Sequence, residues 1–276
     1  MNLLPRDMAA RLGHETVRIL DEGGYRTPGG HWVDLRLALE TARRGTVEYS
    51  PEDSVQTPGA GAIPCRLSVE NATVLAVGRR LATVAPIAAL NFASATSPGG
   101  GFLHGARAQE ESIAWSSGLF HCLKDRAMYA RHRVASDPFY SDSVIVSPSV
   151  PVFREDDGDL LEEPWLLSVI TCAAVNGVHV AGRVPHRTPE IPRTMRRRTT
   201  RVLTVAAAHG FRRLILGAWG CGAFGLDAEM MAEVFRDALE LPFRGVFDEV
   251  VFAITDWSDD ARFIGPFQRR FEAEPR

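Results

Sequence analysis

Two adjacent carboxylates, Glu110 and Glu111, are the first groups in this sequence that could do chemistry. Seven residues separate Gln109, which precedes them, from a run of three consecutive glycines: Gly99, Gly100 and Gly101. Glycine permits positive φ angles and close approach of the backbone. A helix is predicted over 108–120, and in its first turn neighbouring side chains point about 100° apart. The two glutamates therefore cannot have the same role, and we expect one to project into a cleft while the other holds the helix end or a substrate.

A second glycine-rich stretch, LGAWGCGAFGLD at 216–227, follows a predicted strand and precedes a predicted helix. Small residues let backbone N–H groups approach an anion, and a helix N-terminus adds a favourable dipole. We predict that this second glycine loop cradles a phosphate or diphosphate through five residues: Gly220, Cys221, Gly222, Ala223 and Phe224. The Phe224 ring is expected to pack on a ligand. The alternative is a purely structural turn between a strand and a helix.

The second glycine loop also satisfies the dinucleotide pattern GxGxxG, but its context argues against that fold. The pattern normally opens its domain and is followed after about 20 residues by an acidic residue. Here the nearest candidate, Asp256, comes 31 residues after Gly225, and about 20 residues remain beyond it. We therefore keep the prediction that this loop binds a phosphate or diphosphate, without assigning a dinucleotide-binding fold.

Carboxylates beside an anion-binding loop are the groups that hydrolysis of a glycosidic bond next to a phosphate requires. A carboxylic acid protonates the leaving oxygen, and its carboxylate then activates water against an oxocarbenium-like centre. A helix N-terminus favours the ionised form of such an acid, and a neighbouring diphosphate favours the protonated form. The competing interpretation is that Glu110 and Glu111 only stabilise the start of the helix, as acidic residues often do.

The elements that must position these groups alternate between strands and helices after residue 64. We predict strands at 66–70, 86–92, 143–148, 165–172, 213–218 and 248–254, and helices at 71–82, 108–120, 193–209, 227–240 and 259–272. This alternation is typical of an α/β domain with a mixed or mostly parallel sheet covered on both faces. Ligands bind at the carboxyl ends of such strands. The first glycine loop (93–107) and the second glycine loop are therefore expected on one rim.

The first 48 residues are predicted to be helical, and SPEDSVQTPGAGAIP at 50–64 has the composition of a loop. We therefore divide the chain into an N-terminal helical extension with its linker, 1–64, and a main domain, 65–276. The arginine run RTMRRRTTR at 193–201 is read either as an ordinary solvated helix face or as a contact for an anionic partner.

Composition limits the classes of function. A net charge of −3 with 24% charged residues excludes a generally basic nucleic-acid coat. The cysteines show no paired spacing, so a zinc site or a disulfide framework is not expected: Cys65, Cys122, Cys172 and Cys221. The chain contains neither an apolar run that could cross a bilayer nor a signal peptide, so we expect a cytoplasmic protein with no membrane partner.

The motif GGG-x7-QEE at 99–111 resembles the signature of poly(ADP-ribose) glycohydrolases. The stretches LNFASATSPGGGFLHGARAQEES and LGAWGCGAFG are similar to the bacterial-type branch of that family, as are SPSVPVFRED, VITCAAVN and VVFAITD, and the resemblance spans residues 10 to 256. It implies a macrodomain-like α/β fold, in which helices cover both sides of a mixed central sheet in a three-layer α/β/α arrangement, together with an N-terminal helical extension. It implies no metal and no redox cofactor.

The resemblance also implies that ADP-ribose lies across both glycine loops. Glu111 then corresponds to the catalytic acid/base, and Glu110 to its partner in positioning the terminal ribose. The other positions that match ligand-binding residues of the family are Gly99, Gly100, Gly101 and Gln109 around that ribose, Gly220, Cys221, Gly222 and Ala223 at the diphosphate, and Phe224 against the ligand near the scissile ribose.

By resemblance, we expect a hydrolase that cleaves ribose–ribose O-glycosidic bonds of poly(ADP-ribose) and releases ADP-ribose mainly from chain ends. The helical extension would cap the far side of the adenosine ribose and favour such exo-cleavage. The polymer would be carried on ADP-ribosylated proteins, with no sequence-specific nucleic-acid partner. Three alternatives remain: a non-catalytic ADP-ribose reader, an enzyme that removes single ADP-ribose units from protein or nucleic acid, and a nicotinamide-dependent oxidoreductase.

Overall fold

The computed structural model describes residues 4–56, 59, 61, 64–82 and 86–272. The strands are β1 (Gly24–Arg26), β2 (Trp32–Asp34), β3 (Val47–Tyr49), β4 (Arg66–Glu70), β5 (Ala88–Phe92), β6 (Val144–Arg154), β7 (Leu160–Cys172), β8 (Arg213–Leu216) and β9 (Glu249–Ala253). The α-helices are α1 (Arg6–Glu22), α2 (Arg36–Gly45), α3 (Val74–Ala82), α4 (Gln109–Ser116), α5 (Leu119–Leu123), α6 (Ala127–Ala135), α7 (Gly177–Arg183), α8 (Ile191–Ala208), α9 (Ala228–Glu240) and α10 (Ile264–Phe271), with 3-10 turns at Phe102–His104 and Pro185–Glu190.

The central sheet is mixed, as predicted. Its seven strands lie in the order β3-β6-β7-β5-β8-β9-β4. The five from β7 to β4 run parallel, whereas β6 is antiparallel to both of its neighbours, β3 and β7. The central parallel strands β5, β8 and β9 are almost completely buried because both faces of the sheet are covered.

Successive side chains of the central strands bury themselves against different helices. Leu214 and Leu216 of β8 join the core formed with α8, α9 and α10. Ile215, between them, joins the core formed with α3, α5 and α6. Side chains of a strand alternate between the two faces of its sheet, so these two cores lie on opposite sides. The fold is therefore the predicted three-layer α/β/α arrangement.

Both glycine loops leave the same edge of this sheet. β5 and β8 are parallel neighbours, with Ala88 opposite Leu214 and Ala89 opposite Ile215. The first glycine loop follows the carboxyl end of β5, and the second follows the carboxyl end of β8. The prediction of a shared rim is thus confirmed.

The helix predicted over 108–120 is interrupted. α4 ends at Ser116, and α5 begins at Leu119. Between them, Ser117 is extended and bridges to Val152, while the Gly118 amide donates to the Pro151 carbonyl at 2.9 Å. These contacts with β6 replace helical hydrogen bonds at Ser117 and Gly118. They join residues far apart in the chain, so the local sequence did not indicate them. The strands predicted at 143–148 and 165–172 are also longer, since β6 and β7 continue as a hairpin past their apolar segments.

The N-terminal segment forms the helices α1 and α2, but it is not wholly helical. β1 and β2 form a small antiparallel hairpin, and β3 pairs with β6 at the edge of the main sheet. Within the predicted linker, residues 57, 58, 60, 62 and 63 lie outside the described residues. The division of the chain at residue 64 stays a prediction.

Helix α1 lies directly against the first glycine loop. Its buried face includes Ala9 and Leu12, which pack with Phe102. A Cβ on Gly13 would lie 2.5 Å from the Phe102 carbonyl oxygen, so only glycine allows this approach. The hydroxyl of Thr16 also donates to the carbonyl of Trp115 at the end of α4. The N-terminal helix therefore supports the loop from behind.

The arginine run at 193–201 lies in α8 and is partly committed to internal contacts. Arg198 is completely buried, pairs with Asp142 at 2.9 Å and donates to the Ala173 carbonyl at 2.9 Å. Arg201 donates to two backbone carbonyls of the segment after β3. These two guanidinium groups are not part of an open basic face. No helix in the described ranges is long and apolar enough to cross a membrane.

Candidate active site

Gln109 fixes the start of α4 to the end of β5. Its Oε1 accepts the amide of Phe92 at 2.9 Å, and its Nε2 donates to the carbonyl of Leu90 at 2.7 Å. The Gln109 side chain thus pairs with a backbone N–H and a backbone C=O of β5, as a neighbouring strand would. This anchor fixes the direction in which Glu110 and Glu111 point. The structure gives Gln109 a structural contact on the wall of the cleft, and its role in ligand binding stays a prediction.

Glu111 is held by two backbone amides. Its Oε1 accepts the N–H of Gly101 at 2.9 Å, and its Oε2 accepts the N–H of Ala108 at 2.9 Å. Each carboxylate oxygen has a second lone pair, so both can still meet a ligand. The side chain is 7% exposed and lines the cleft. Glu111 is therefore fixed in orientation while its oxygens keep acceptor capacity.

Glu110 points into a more enclosed polar environment. Its Oε2 accepts the N–H of Ser94 at 2.6 Å, and Asn91 Nδ2 approaches its Oε1 at 3.5 Å. Asn91 also donates to Thr171 on the adjacent strand. Burial raises the pKa of Glu110 well above its ordinary value; the Ser94 hydrogen bond lowers that pKa, and the charge of Glu111 raises it further. Burial of Glu110 therefore favours the protonated form of its carboxyl group.

Gly100 lies where both carboxyl groups approach the first glycine loop. Its φ is +62°, in the left-handed region, and Gly99 before it has φ +70°. A Cβ on Gly100 would lie 2.9 Å from Glu110 Oε2, 3.0 Å from Glu111 Cδ and closer still to Glu111 Oε1. The run of glycines is therefore needed for conformation and for space, and Gly101 supplies an amide to Glu111.

The second glycine loop presents free backbone donors. In this loop, four backbone amides donate no hydrogen bond to any described residue: those of Gly220, Gly222, Ala223 and Phe224. Gly220 has φ +80°, and a Cβ on Gly222 would meet nothing within 4 Å. By contrast, Asp227 accepts the N–H of Met230 and caps α9 itself. The donors for an anion are therefore those of the loop rather than those of the helix end.

A cleft of about 280 Å³ lies between the two loops. The structure brings seven of the predicted site residues to its walls: Gln109, Glu110, Glu111, Gly220, Gly222, Ala223 and Phe224. The glycines at 99–101 lie behind the two carboxyl groups. Cys221 is 4% exposed and belongs to the core, and its amide donates to the Ala218 carbonyl. The thiol of Cys221 is therefore not a wall of the cleft.

Several walls of the cleft were not predicted from the sequence. Phe92 ends β5, and Thr255 follows β9, so their position at the carboxyl ends of strands could have identified them. Phe263 lies just before α10 and offers no such signal. The aromatic rings of Phe92, Phe224 and Phe263 give the cleft apolar surfaces beside its polar groups.

A second cavity, of about 140 Å³, adjoins the cleft across Ala108 and Gln109. Trp257 lies at its edge and is 57% exposed. Asp156 also lines it, and burial raises the pKa of this carboxyl, while a hydrogen bond from Thr73 lowers that pKa. The two cavities form neighbouring parts of one depression at the carboxyl edge of the sheet.

In the residues the structure describes, no group of three or more His, Cys, Asp or Glu side chains is arranged to hold a metal ion. The four cysteines are free thiols. Burial raises the pKa of the Cys172 and Cys221 thiols to about 12 each, so neither is a ready nucleophile. Among the described residues that line the cleft, the carboxyl groups are those of Glu110 and Glu111.

A family model described as the catalytic domain of microbial-type poly(ADP-ribose) glycohydrolase matches residues 13–155. Solved structures agree. Poly(ADP-ribose) glycohydrolase from Thermomonospora curvata is 44% identical with a TM-score of 0.89, covering 95% of this chain and 99% of that one. The same protein bound to the inhibitor ADP-HPD is 43% identical with a TM-score of 0.87 and the same coverage.

The poly(ADP-ribose) glycohydrolase from Deinococcus radiodurans in complex with ADP-ribose is 38% identical with a TM-score of 0.82, covering 91% of this chain and 100% of that one. No curated protein sequence matches the chain. The family model extends over half of the chain, and the similar structures extend over nearly all of it. This protein therefore belongs to the microbial-type poly(ADP-ribose) glycohydrolase family.

Proposed function

We propose that the protein hydrolyses ribose–ribose O-glycosidic bonds of poly(ADP-ribose) and releases ADP-ribose, mainly from chain ends. The observation that carries the proposal is the pairing of two unlike carboxyl groups with an anion-binding loop across one cleft. Glu111 is fixed by amides and open to a ligand, whereas Glu110 is enclosed, and its burial raises its pKa. A reader of ADP-ribose would need the loop but not the acid pair.

The substrate pose follows from the charges. The diphosphate rests on the free amides of the second glycine loop, where backbone donors can meet its oxygens directly. The terminal ribose then reaches the two glutamates, with the Phe224 ring along its side. The adenosine end extends past Phe92 and Thr255, where the second cavity opens.

In this pose Glu111 is the acid and base of the reaction. Its protonated form gives a proton to the glycosidic oxygen while the bond from that oxygen to ribose C1 breaks. Its carboxylate then takes a proton from the water that adds to the oxocarbenium-like carbon. The substrate diphosphate favours a protonated carboxyl nearby and stabilises the positive charge of the transition state. Gly99 to Gly101 hold the backbone around that ribose.

Glu110 positions the ribose rather than transferring the proton. A protonated carboxyl can donate its O–H to a ribose hydroxyl while its other oxygen stays on Ser94. A neutral Glu110 also avoids placing a second negative charge beside Glu111. Different functions thus follow from different surroundings of two neighbouring residues.

The preference for chain ends is supported by the N-terminal segment. Leu4 lines the second cavity, and Arg107 of the first glycine loop donates to the Leu4 carbonyl at 2.6 Å. A polymer that continued from the adenosine ribose would meet this segment. We propose that ADP-ribosylated proteins carry the substrate, because recognition needs only the terminal unit and not its carrier.

The function is tested with automodified poly(ADP-ribose), comparing wild type, Glu111→Gln and the control Glu240→Gln. Glu240 is an exposed carboxyl at the far end of α9, away from the cleft. We expect Glu111→Gln to lower kcat by about 10²–10⁴-fold, the usual contribution of a general acid–base group. Calorimetric binding of ADP-ribose should be retained in all three proteins, and Glu240→Gln should release ADP-ribose like the wild type.

Near-normal release by Glu111→Gln would contradict the mechanism. Binding by the wild type without any release would favour the reader, or an enzyme for single ADP-ribose units, which mono-modified protein and nucleic acid would then distinguish. Early products from polymer labelled at its terminal unit separate the modes of attack. Free ADP-ribose before shorter oligomers supports cleavage from chain ends, and early oligomers contradict it.

A further inference from the structure

His132 of α6 lies behind the first glycine loop and is 3% exposed. Its Nδ1 is 3.0 Å from the Ala95 carbonyl oxygen. Its Nε2 is 2.6 Å from the Ser141 hydroxyl and 3.1 Å from the Ser141 amide nitrogen. One buried imidazole therefore contacts two segments that are far apart in sequence.

The tautomer of His132 follows from these partners. The amide of Ser141 can only donate, so Nε2 must be the acceptor. The hydrogen then sits on Nδ1 and is donated to the Ala95 carbonyl, which can only accept. The ring is neutral in this arrangement, because an imidazolium would turn an N–H toward the Ser141 amide.

The charges around the ring agree with a neutral imidazole. Burial lowers the pKa of His132, the hydrogen bond to Ala95 raises it, and the nearby guanidinium groups of Arg198 and Arg131 lower it further. The carboxylate of Glu48 raises the pKa of His132, but this carboxylate is paired with the guanidinium group of Arg131.

On one side, His132 fixes the peptide next to the carboxyl pair. Ala95 follows Ser94, whose amide donates to Glu110 at 2.6 Å. Arg133, the next residue of α6, donates to the Thr96 carbonyl at 2.6 Å. Two consecutive carbonyls of the first glycine loop are therefore tied to α6.

On the other side, His132 holds a strained turn. Tyr140, just before Ser141, has φ +55°, which non-glycine residues rarely adopt. The Tyr140 ring lies 5.4 Å from the His132 ring and 6.3 Å from the Phe224 ring, measured between centroids. The turn thus supports the aromatic wall of the cleft that faces the glutamates.

We propose that His132 is a positioning residue for the hydrolysis, in that its neutral Nδ1–H tautomer joins the loop that orients Glu110 to the turn that supports Phe224. The inference rests on the proposed function, since it assigns those two residues to the ribose site. His132 touches no substrate in this scheme. It sets the distance between the carboxyl groups and the aromatic wall.

The test compares His132→Phe, which keeps a ring but loses both hydrogen bonds, with His132→Gln, whose amide can both donate and accept. The matched control is His209→Phe. His209 is a half-buried histidine that bonds to the Tyr49 hydroxyl at 2.8 Å, beside the opposite edge of the sheet. Each variant is measured for kcat and KM on polymer, calorimetric ADP-ribose binding and thermal unfolding.

We expect His132→Phe to lower kcat by about 10–100-fold with a smaller change in KM, since a displacement of about 1 Å has effects of this size. His132→Gln should recover much of the loss, and His209→Phe should keep wild-type kcat at a similar melting temperature. Equal kcat in His132→Phe and His209→Phe would overturn the proposal. So would a loss of activity that only follows the loss of stability and is not rescued by glutamine.

Imidazole ¹⁵N chemical shifts of His132 provide a readout that needs no turnover. We expect the Nδ1–H tautomer at neutral pH, and an Nε2–H tautomer or an imidazolium would refute the inference. A wild type that releases no ADP-ribose would instead refute the proposed function, while the NMR result would still report on His132.

Discussion

Gly100→Ala is the substitution that most directly tests the geometry of the carboxyl pair. The added Cβ would lie 2.9 Å from Glu110 Oε2 and 3.0 Å from Glu111 Cδ, and closer than either to Glu111 Oε1. Real Cβ atoms essentially never lie less than 3.0 Å from another heavy atom, so the Glu111 carboxylate has to move. It cannot move freely, because the Gly101 and Ala108 amides hold both of its oxygens.

The expected magnitude has two parts. Relief of the overlap displaces the carboxylate by about 1 Å, and a misplacement of this size at a reacting group reduces catalysis by about 10²-fold. Alanine at φ +62° also destabilises the fold by roughly 1–2 kcal/mol, independent of the neighbours. For a chain of this size, each kcal/mol lowers the melting temperature by about 2–4 °C.

Gly210→Ala separates these two parts. Gly210 follows α8 with φ +75°, and a Cβ there would meet nothing within 4 Å. It therefore shares the backbone strain but not the overlap with the carboxyl groups. We expect both variants to lose a few degrees of melting temperature, and only Gly100→Ala to lose kcat on poly(ADP-ribose). The assay is release of ADP-ribose at saturating polymer, with thermal unfolding in parallel.

Equal kcat in the two variants would refute the conclusion that a side chain at position 100 displaces the carboxyl groups. Loss of both activity and folding in Gly100→Ala alone would also count against it, because the proposed displacement leaves the sheet and its two cores untouched. ADP-ribose binding should weaken less than turnover, since the proposed diphosphate contacts lie on the other loop.

Two further predictions use the same cleft. Gly222→Ala should weaken calorimetric ADP-ribose binding without lowering the melting temperature, because its Cβ enters only the open space where the diphosphate is placed; unchanged affinity would place the anion elsewhere. Glu110→Gln should become more stable relative to the wild type as pH rises above about 4.5. Burial raises the pKa of Glu110 in the folded state, so Glu110 loses its proton at lower pH in the unfolded wild type than in the folded one. The wild type therefore loses stability with rising pH, whereas glutamine does not titrate. Each pKa unit corresponds to about 1.4 kcal/mol; urea unfolding at pH 4 and pH 8 measures it, and a difference that does not change with pH would contradict the protonated state of Glu110.

The sheet and the rim were predictable because their signals are local. Each main strand contains a short apolar run, and all six strands predicted after residue 64 are formed. Parallel order then places β5 and β8 so that both glycine loops meet. The short strands β1, β2 and β3 were missed, since three residues carry no alternation of apolar and polar side chains.

The parts of the site that sequence did not predict depend on contacts between distant residues. Phe263 reaches the cleft only because the chain turns back after β9. His132 lies 37 residues after Ala95, and no spacing rule relates a helix interior to a glycine loop. The break between α4 and α5 likewise depends on pairing with β6 at Val152. Local pattern predicts the candidate reacting groups, whereas the residues that hold them in place are known only from the fold.

The three glycines at 99–101 are needed because they leave room for the carboxyl groups, and not because they make the loop mobile. A loop that moved freely would not keep the Gly101 amide 2.9 Å from Glu111 while the Ser94 amide stays 2.6 Å from Glu110. Those contacts need a backbone that turns through two positive φ angles and then passes the carboxyl groups without a side chain. Consecutive positions on α4 aim the glutamates differently, so one carboxyl reaches the amides of the loop and the other enters the sheet beside Asn91. The different surroundings of the two carboxyl groups therefore follow from helix geometry and from the absence of a Cβ at Gly100, and they support the proposed division of roles.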